Sequence, residues 1–270
     1  MYKKIILLLF IFFSFCSLNT WAWNDERTHY DLSIKTSEHS IISLTGGDYL
    51  KNLGFSKNIE EKFTLNGETK LVKEWIGEGA IEEDAGSVFT AYYYNHFHNP
   101  RFSWDQAGLK TYYPWINDMS SLLWAQDSSN EWSWQKTRDY YRLALTSQTS
   151  TERETNFAKT FKGLGHIIHL IQDSAQPAHV RNDPHPLDAW GIVPQFENWA
   201  KDPKNLTIVS SFISNPVFPA VSLNTSVGGY LAITQLWDTD QYNGTNPPAG
   251  TNIGISEYTN ANFLSEEIVC

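Results

Sequence analysis

Between Ser150 and Pro177 the chain carries a proline-free stretch in which Phe157, Phe161, Leu164, Ile168 and Ile171 recur at alternating steps of four and three. That rhythm puts all five side chains on one face of an α-helix, which needs a second apolar surface to cover it. Ser150 or Thr151 is the expected N-cap, and Glu152 and Glu154 complement the positive end of the helix dipole in the first turn. Pro177 cannot continue the ladder and ends the helix. A buried helix of this length requires partners, and weaker helical patterns supply them. Residues 27–41, 113–126 and 130–147 read as helices, and 69–80 as a short amphipathic helix stopped by its glycines. A further short helix is expected over 194–201, with final helices over 227–238 and 254–267. Residues 85–104 are aromatic, irregular and broken by Pro100, and 204–227 reads as loop or short strands. The fold class expected is all-α: one compact multi-helix domain over 23–270 with long aromatic loops, of which 204–270 matches no assignable pattern. The 11 Trp, 13 Tyr and 15 Phe fit either an aromatic-lined cleft or a Trp-rich core.

Residues 1–22 stand apart. Lys3 and Lys4 precede the apolar run Ile5–Phe13, and Thr20 and Ala22 are small. This is the pattern of a secretory signal peptide cleaved after Ala22, which predicts a secreted or periplasmic protein. A lipid anchor at Cys16 is disfavoured by the bulky Phe13 and Phe15 before it. Cleavage leaves Cys270 as the single cysteine, so no internal disulfide can staple the exported chain, and bound metal is an alternative source of stability. It also removes two of the 20 basic residues, leaving 18 against 30 acidic, or −12. That charge argues against duplex nucleic acid as a partner.

There are eight histidines, and His166, His169, His179 and His185 lie within one short segment. His169 and Asp173 are four apart on the expected helix, so they share a face with Cβ atoms about 5–6 Å apart. Imidazole nitrogen and carboxylate oxygen are both good ligands for a divalent ion. Taken alone, such a pair is more often a solvated helix end. Followed by Pro177 and His179, it points to a metal-binding helix and turn.

The run "HLIQDSAQPAH", with His169, Asp173, Gln176, Pro177 and His179 in order, resembles the zinc-dependent phospholipase C and single-strand-specific nuclease family. The resemblance spans roughly residues 23–201 and implies an α-helical enzyme with three Zn²⁺ ions in one cleft. It implies that Asp84, His96, His169 and Asp173 hold one zinc. The α-amino nitrogen and carbonyl oxygen of Trp23, with His29 and a bridging Asp173, hold a second. His179, Glu197 and His185 hold the third. Glu82, Glu83 and His98 compete with Asp84 and His96, although Glu82 and Glu83 fit a solvated acidic turn better. Val193 stands where the family has a histidine four residues before Glu197. His185 is the expected replacement, with Asp183 and Asp188 as alternatives. His166 is expected to line the site and His39 to be structural or exposed.

The chemistry so implied is phosphodiester hydrolysis, in which a water activated between two zincs attacks phosphorus in line and Asp84 can take its proton. Neither a G-x-S-x-G elbow nor a phosphate-cradling glycine loop occurs in the sequence. Phospholipid head groups are favoured over single-stranded nucleic acid by the acidic charge and the Phe196-Glu197-Asn198 context. Peripheral membrane contact goes with that substrate, and a stable protein partner is not expected. The alternatives are a nuclease of the same fold and a zinc-stabilised module without catalysis.

Overall fold

The computed structural model describes residues 28–40, 42–43, 49–85, 92–111, 114, 118–183, 199, 202, 204–205, 208, 211, 233–245 and 253–265. These are mainly helical. In order come α1 (Tyr30–His39), α2 (Tyr49–Asn52), strands β1 (Lys62–Leu65) and β2 (Glu68–Leu71), α3 (Val72–Glu82), α4 (Ser121–Trp124), α5 (Trp134–Thr146), α6 (Ser150–Asp173), α7 (Ile233–Trp237) and α8 (Ile255–Asn262). Short 3₁₀ segments occur at Asn58–Glu60, Tyr92–His96, Leu109–Thr111 and His179–Arg181. No helix among the described residues is long and apolar enough to cross a membrane. The signal-peptide reading of 1–22 and the helix over 194–201 fall outside the described residues, apart from Trp199.

The long helix is α6, about 36 Å at 1.5 Å per residue. Its cap differs from expectation. Thr149, one residue earlier, accepts from the Glu152 N–H, and the Glu152 carboxylate accepts back from the Thr149 N–H. The reciprocal bonds satisfy two N–H groups that a cap at Ser150 or Thr151 would leave open. The helix then serves two cores. Phe157, Ala158 and Phe161 pack with Leu50, Phe55, Phe63, Leu65, Val72, Trp75 and Ile76, with Leu164 and Ile168 at the edge. Ile167 and Leu170 pack with Leu122, Trp124 and Trp237 on the other side, where Ile171 joins them. The polar stripe His166–His169–Asp173 runs between these two apolar faces.

The segment expected to be helical over 69–80 is partly strand. Residues 69–71 belong to β2, which pairs antiparallel with β1, Phe63 opposite Lys70. Asn66 and Gly67 join the strands with φ of 53° and 86°, the left-handed pair that an Asn-Gly hairpin turn needs. The following glycines do not stop the helix. Gly77 and Gly79 lie inside α3, which continues to Glu82. At Gly79 a Cβ would stand 1.9 Å from the Lys162 carbonyl oxygen, and at Gly165 one would stand 2.0 Å from the Ile76 carbonyl oxygen. The two backbones therefore touch where α3 crosses α6, the most extensive helix packing in the described chain. Within the expected helix over 113–126 the described residues show α4, with Met119 and Ser120 outside any helix; 113 and 115–117 lie outside the described residues. Of the expected helices over 227–238 and 254–267, the described residues carry helix at Ile233–Trp237 and Ile255–Asn262, with 263–265 outside the helix.

Candidate metal centre

The α3–α6 crossing aims the C-terminal end of each helix at one place. Asp84 follows α3, and His169 and Asp173 occupy the last turns of α6. His29 comes from the turn before α1, His96 ends the 3₁₀ segment Tyr92–His96, and His179 opens the 3₁₀ turn beyond Pro177. All six side chains are at most 2 % exposed.

Their spacing suits donors around an ion as well as ion pairs. Asp173 Oδ2 lies 3.1 Å from His96 Nδ1, 3.2 Å from His169 Nε2 and 3.3 Å from His179 Nδ1. Asp84 Oδ1 lies 3.2 Å from His96 Nδ1 and 3.5 Å from His169 Nε2. Asp173 Oδ1 faces the other way, 3.7 Å from His29 Nε2. Two donors held 2.0–2.2 Å from one ion at tetrahedral angles stand about 3.4 Å apart. His169 Nε2, both nitrogens of His96, both oxygens of Asp173 and Asp84 Oδ2 are buried without a hydrogen-bond partner. Buried polar atoms left this way cost about 1–3 kcal/mol each, so their concentration in one place fits a cation. Among the described residues two groups could each hold a metal ion: His29, His169 and Asp173, and Asp84, His96 and His169, each with its donor atoms within 4.8 Å of one another.

Neighbours behind the ligands set their orientation. His169 Nδ1–H donates to the Ala80 carbonyl at 2.6 Å, which leaves Nε2 for the centre. His29 Nδ1–H donates to Gln172 Oε1 at 2.6 Å, and Gln172 Nε2 donates to Ser33 Oγ at 3.0 Å. The sequence reading missed Gln172; its only local signal is a polar residue closing the run His166–Ile171. Glu83 corrects an expectation. It is buried, not a solvated turn residue, and accepts from Trp124 Nε1 at 2.9 Å and from His166 Nδ1 at 2.5 Å. Its Oε1 stands 3.7 Å from His96 Nε2, so Glu83 and His166 lie directly behind that ligand. Glu82 does stay at the surface, paired with Lys162 at 2.6 Å. His98 is buried but turned away, donating from Nε2 to Asp238 Oδ2 at 2.6 Å. His39 is exposed at the end of α1, and buried Asp183 joins neither ligand group. Trp23, His185, Asp188, Val193 and Glu197 lie outside the described residues.

Charge reinforces the arrangement. Burial and the neighbouring His169 lower the His29 pKa to about 4, so His29 is neutral at pH 7, the form a metal ion would bind. Burial opposes charge on His169, but Asp173 and Asp84 outweigh it and raise its pKa to about 10. His96 is raised in the same way by Asp173, Asp84 and Glu83 against burial. Against the opposing effect of burial, the histidines hold Asp84 and Asp173 well below the ordinary carboxylate range. Without metal, protons thus occupy the positions an ion would take. The stabilisation from His96 and His169 is complete below about pH 6.5 and is lost as pH rises toward the folded values. That from the carboxylates is present above about pH 4 and lost below. The metal-free chain should therefore melt highest near pH 6 and lower toward pH 9. Metal displaces the two imidazole protons, so its affinity should rise by up to about 100-fold per pH unit between pH 6 and 8. Melting curves with chelator and with metal across this range check both slopes; parallel slopes would count against the cluster as a metal site.

The chain matches no protein-family profile, no curated protein and no solved structure.

Proposed function

We propose that this chain is a secreted zinc-dependent phosphoric ester hydrolase of the phospholipase C type. The observation that carries the reading is the division of labour in Asp173. Its Oδ1 faces His29, and its Oδ2 faces His96, His169 and His179. A carboxylate whose oxygens serve different imidazole sets is what a bridge between two ions requires. Asp84, His96, His169 and Asp173 would hold one zinc. Trp23, His29 and Asp173 would hold a second, and His179, His185 and Glu197 a third. Zinc, when bound, supplies Lewis acidity that brings the pKa of water toward neutrality and offsets charge on a phosphoryl oxygen.

The rest falls to the chain. The Ala80 carbonyl and Gln172 hold His169 and His29 in the tautomer that presents Nε2. Burial keeps bulk water from the ligands. Asp84 uses Oδ1 toward His96 and His169, which leaves Oδ2 to accept the proton of the attacking water. Lipid rather than nucleic acid is supported by the −12 charge of the mature chain and by Leu236, Tyr258, Phe263 and Leu264, exposed apolar residues on and just beyond α7 and α8.

Zinc counting on the mature chain, with phosphatidylcholine and single-stranded DNA hydrolysed side by side, tests this. About three zincs per chain and faster turnover of the lipid are expected, with activity lost on chelation and restored by zinc. Faster DNA cleavage would move the reading to a nuclease. At most one zinc without hydrolysis of either substrate would leave a non-catalytic module and overturn the enzyme.

A further inference from the structure

Residues 233–245 and 253–265 carry no candidate site residue of the sequence analysis, yet they grip the turn that carries His179. The grip has three parts. Asn260 Nδ2 donates to the Val180 carbonyl, and both atoms are buried. Arg181 reaches the end of α8, its Nε donating to the Phe263 carbonyl at 2.9 Å and its Nη2 to the Asn260 carbonyl. Asp238, just past α7, accepts from His98 Nε2, and the His98 backbone N–H donates to the His179 carbonyl at 3.0 Å. The neighbouring Phe97 ring stacks on the His179 imidazole with centroids 4.6 Å apart.

The gripping segment is itself stiff. The Glu257 carboxylate, fully buried, accepts from the backbone N–H groups of Thr239, Gln241, Tyr242 and Gly254 and from the Thr239 hydroxyl. One charge satisfied by this many donors fixes the α7–α8 connection on both sides. Beyond His179, Asn182 adopts the left-handed conformation at φ 55° and donates to the Ala107 and Gly108 carbonyls. Within the turn the Val180 and Arg181 N–H groups bond to the Gln176 and Ala178 carbonyls, whereas the His179 and Val180 carbonyls are held from outside it, by the His98 N–H and by Asn260.

We propose that the C-terminal segment is a brace for the metal centre, with Asn260 and Arg181 as positioning residues that hold His179 against Asp173. The inference rests on the metal-centre reading above. It gives residues 233–245 and 253–265 a role in ion affinity although they contribute none of the proposed ligands.

The test uses zinc alone, in competition with a chromophoric chelator, on the full mature chain. Asn260→Leu and Arg181→Met should each weaken the affected zinc by about 10-fold or more, as is usual when a group supporting a ligand is lost. In a His179→Ala background neither substitution should weaken binding further, because the ligand it positions is gone. Arg181 lies partly at the surface and its methionine variant keeps the aliphatic stem, so it decides the matter if Asn260→Leu fails to fold. Unchanged affinity in Arg181→Met, or equal weakening with and without His179, overturns the brace. Failure of the unaltered chain to bind zinc overturns the metal-centre reading and the brace with it.

Discussion

On the proposed zinc-hydrolase reading, Asp173→Asn should remove metal from both of the sites proposed to share Asp173 and lower phosphodiester hydrolysis by at least about 10³-fold, a barrier increase of roughly 4 kcal/mol. The size follows from position. Asp173 is the residue that meets His29 on one oxygen and His96, His169 and His179 on the other. An asparagine keeps the shape but replaces one ligating oxygen by an NH₂ group, which has only donors to offer. It also removes the negative charge that offsets the ions in a fully buried site. Metal analysis after gel filtration, together with initial rates on phosphatidylcholine, measures both effects. A variant that keeps its metal and its rate would refute the bridging role.

Gly165→Ala should lower the melting temperature by roughly 5–10 °C, the shift expected for about 2–3 kcal/mol in a chain of this size. Alanine is better than glycine in a helix by up to about 1 kcal/mol, so propensity alone predicts the opposite sign. Packing decides. The new methyl would lie 2.0 Å from the Ile76 carbonyl oxygen, 2.8 Å from the Ala80 nitrogen and 2.9 Å from Gly79 Cα. All three are backbone atoms, so no side chain can rotate away, and α3 and α6 must separate. Overpacking of this kind costs about 1–3 kcal/mol or more. Separation also draws the Ala80 carbonyl from His169 Nδ1 and Asp84 from His169 Nε2, so zinc affinity should fall in the folded fraction too. Equal or higher melting temperature would mean that the helices do not cross at these glycines.

The local parts of this account were readable along the chain. The period of Phe157, Phe161, Leu164 and Ile168 announced α6, and the four-residue step from His169 to Asp173 placed two candidate ligands on one face. Other local signals have a different meaning in the fold. Asn66-Gly67 marks a hairpin, and Gly77 and Gly79 are a contact surface instead of a helix stop. A helix-interior glycine says only that no Cβ is present. Whether that space is used depends on the helix that arrives there, here from nearly ninety positions away.

What the sequence by itself determined is the set of short-range geometries: helix length, the shared face of His169 and Asp173, the turn after Pro177. These depend on backbone periodicity and on neighbours within one or two turns. Only the tertiary structure decided which oxygen of Asp173 faces which histidine, that Glu83 is buried behind His96, and that His98 turns to Asp238 instead of joining the cluster. It alone paired His29 with Gln172 across 143 residues. Such contacts follow from how α1, α3 and α6 pack, and the packing of surfaces distant in sequence leaves no periodic trace in the segments that meet.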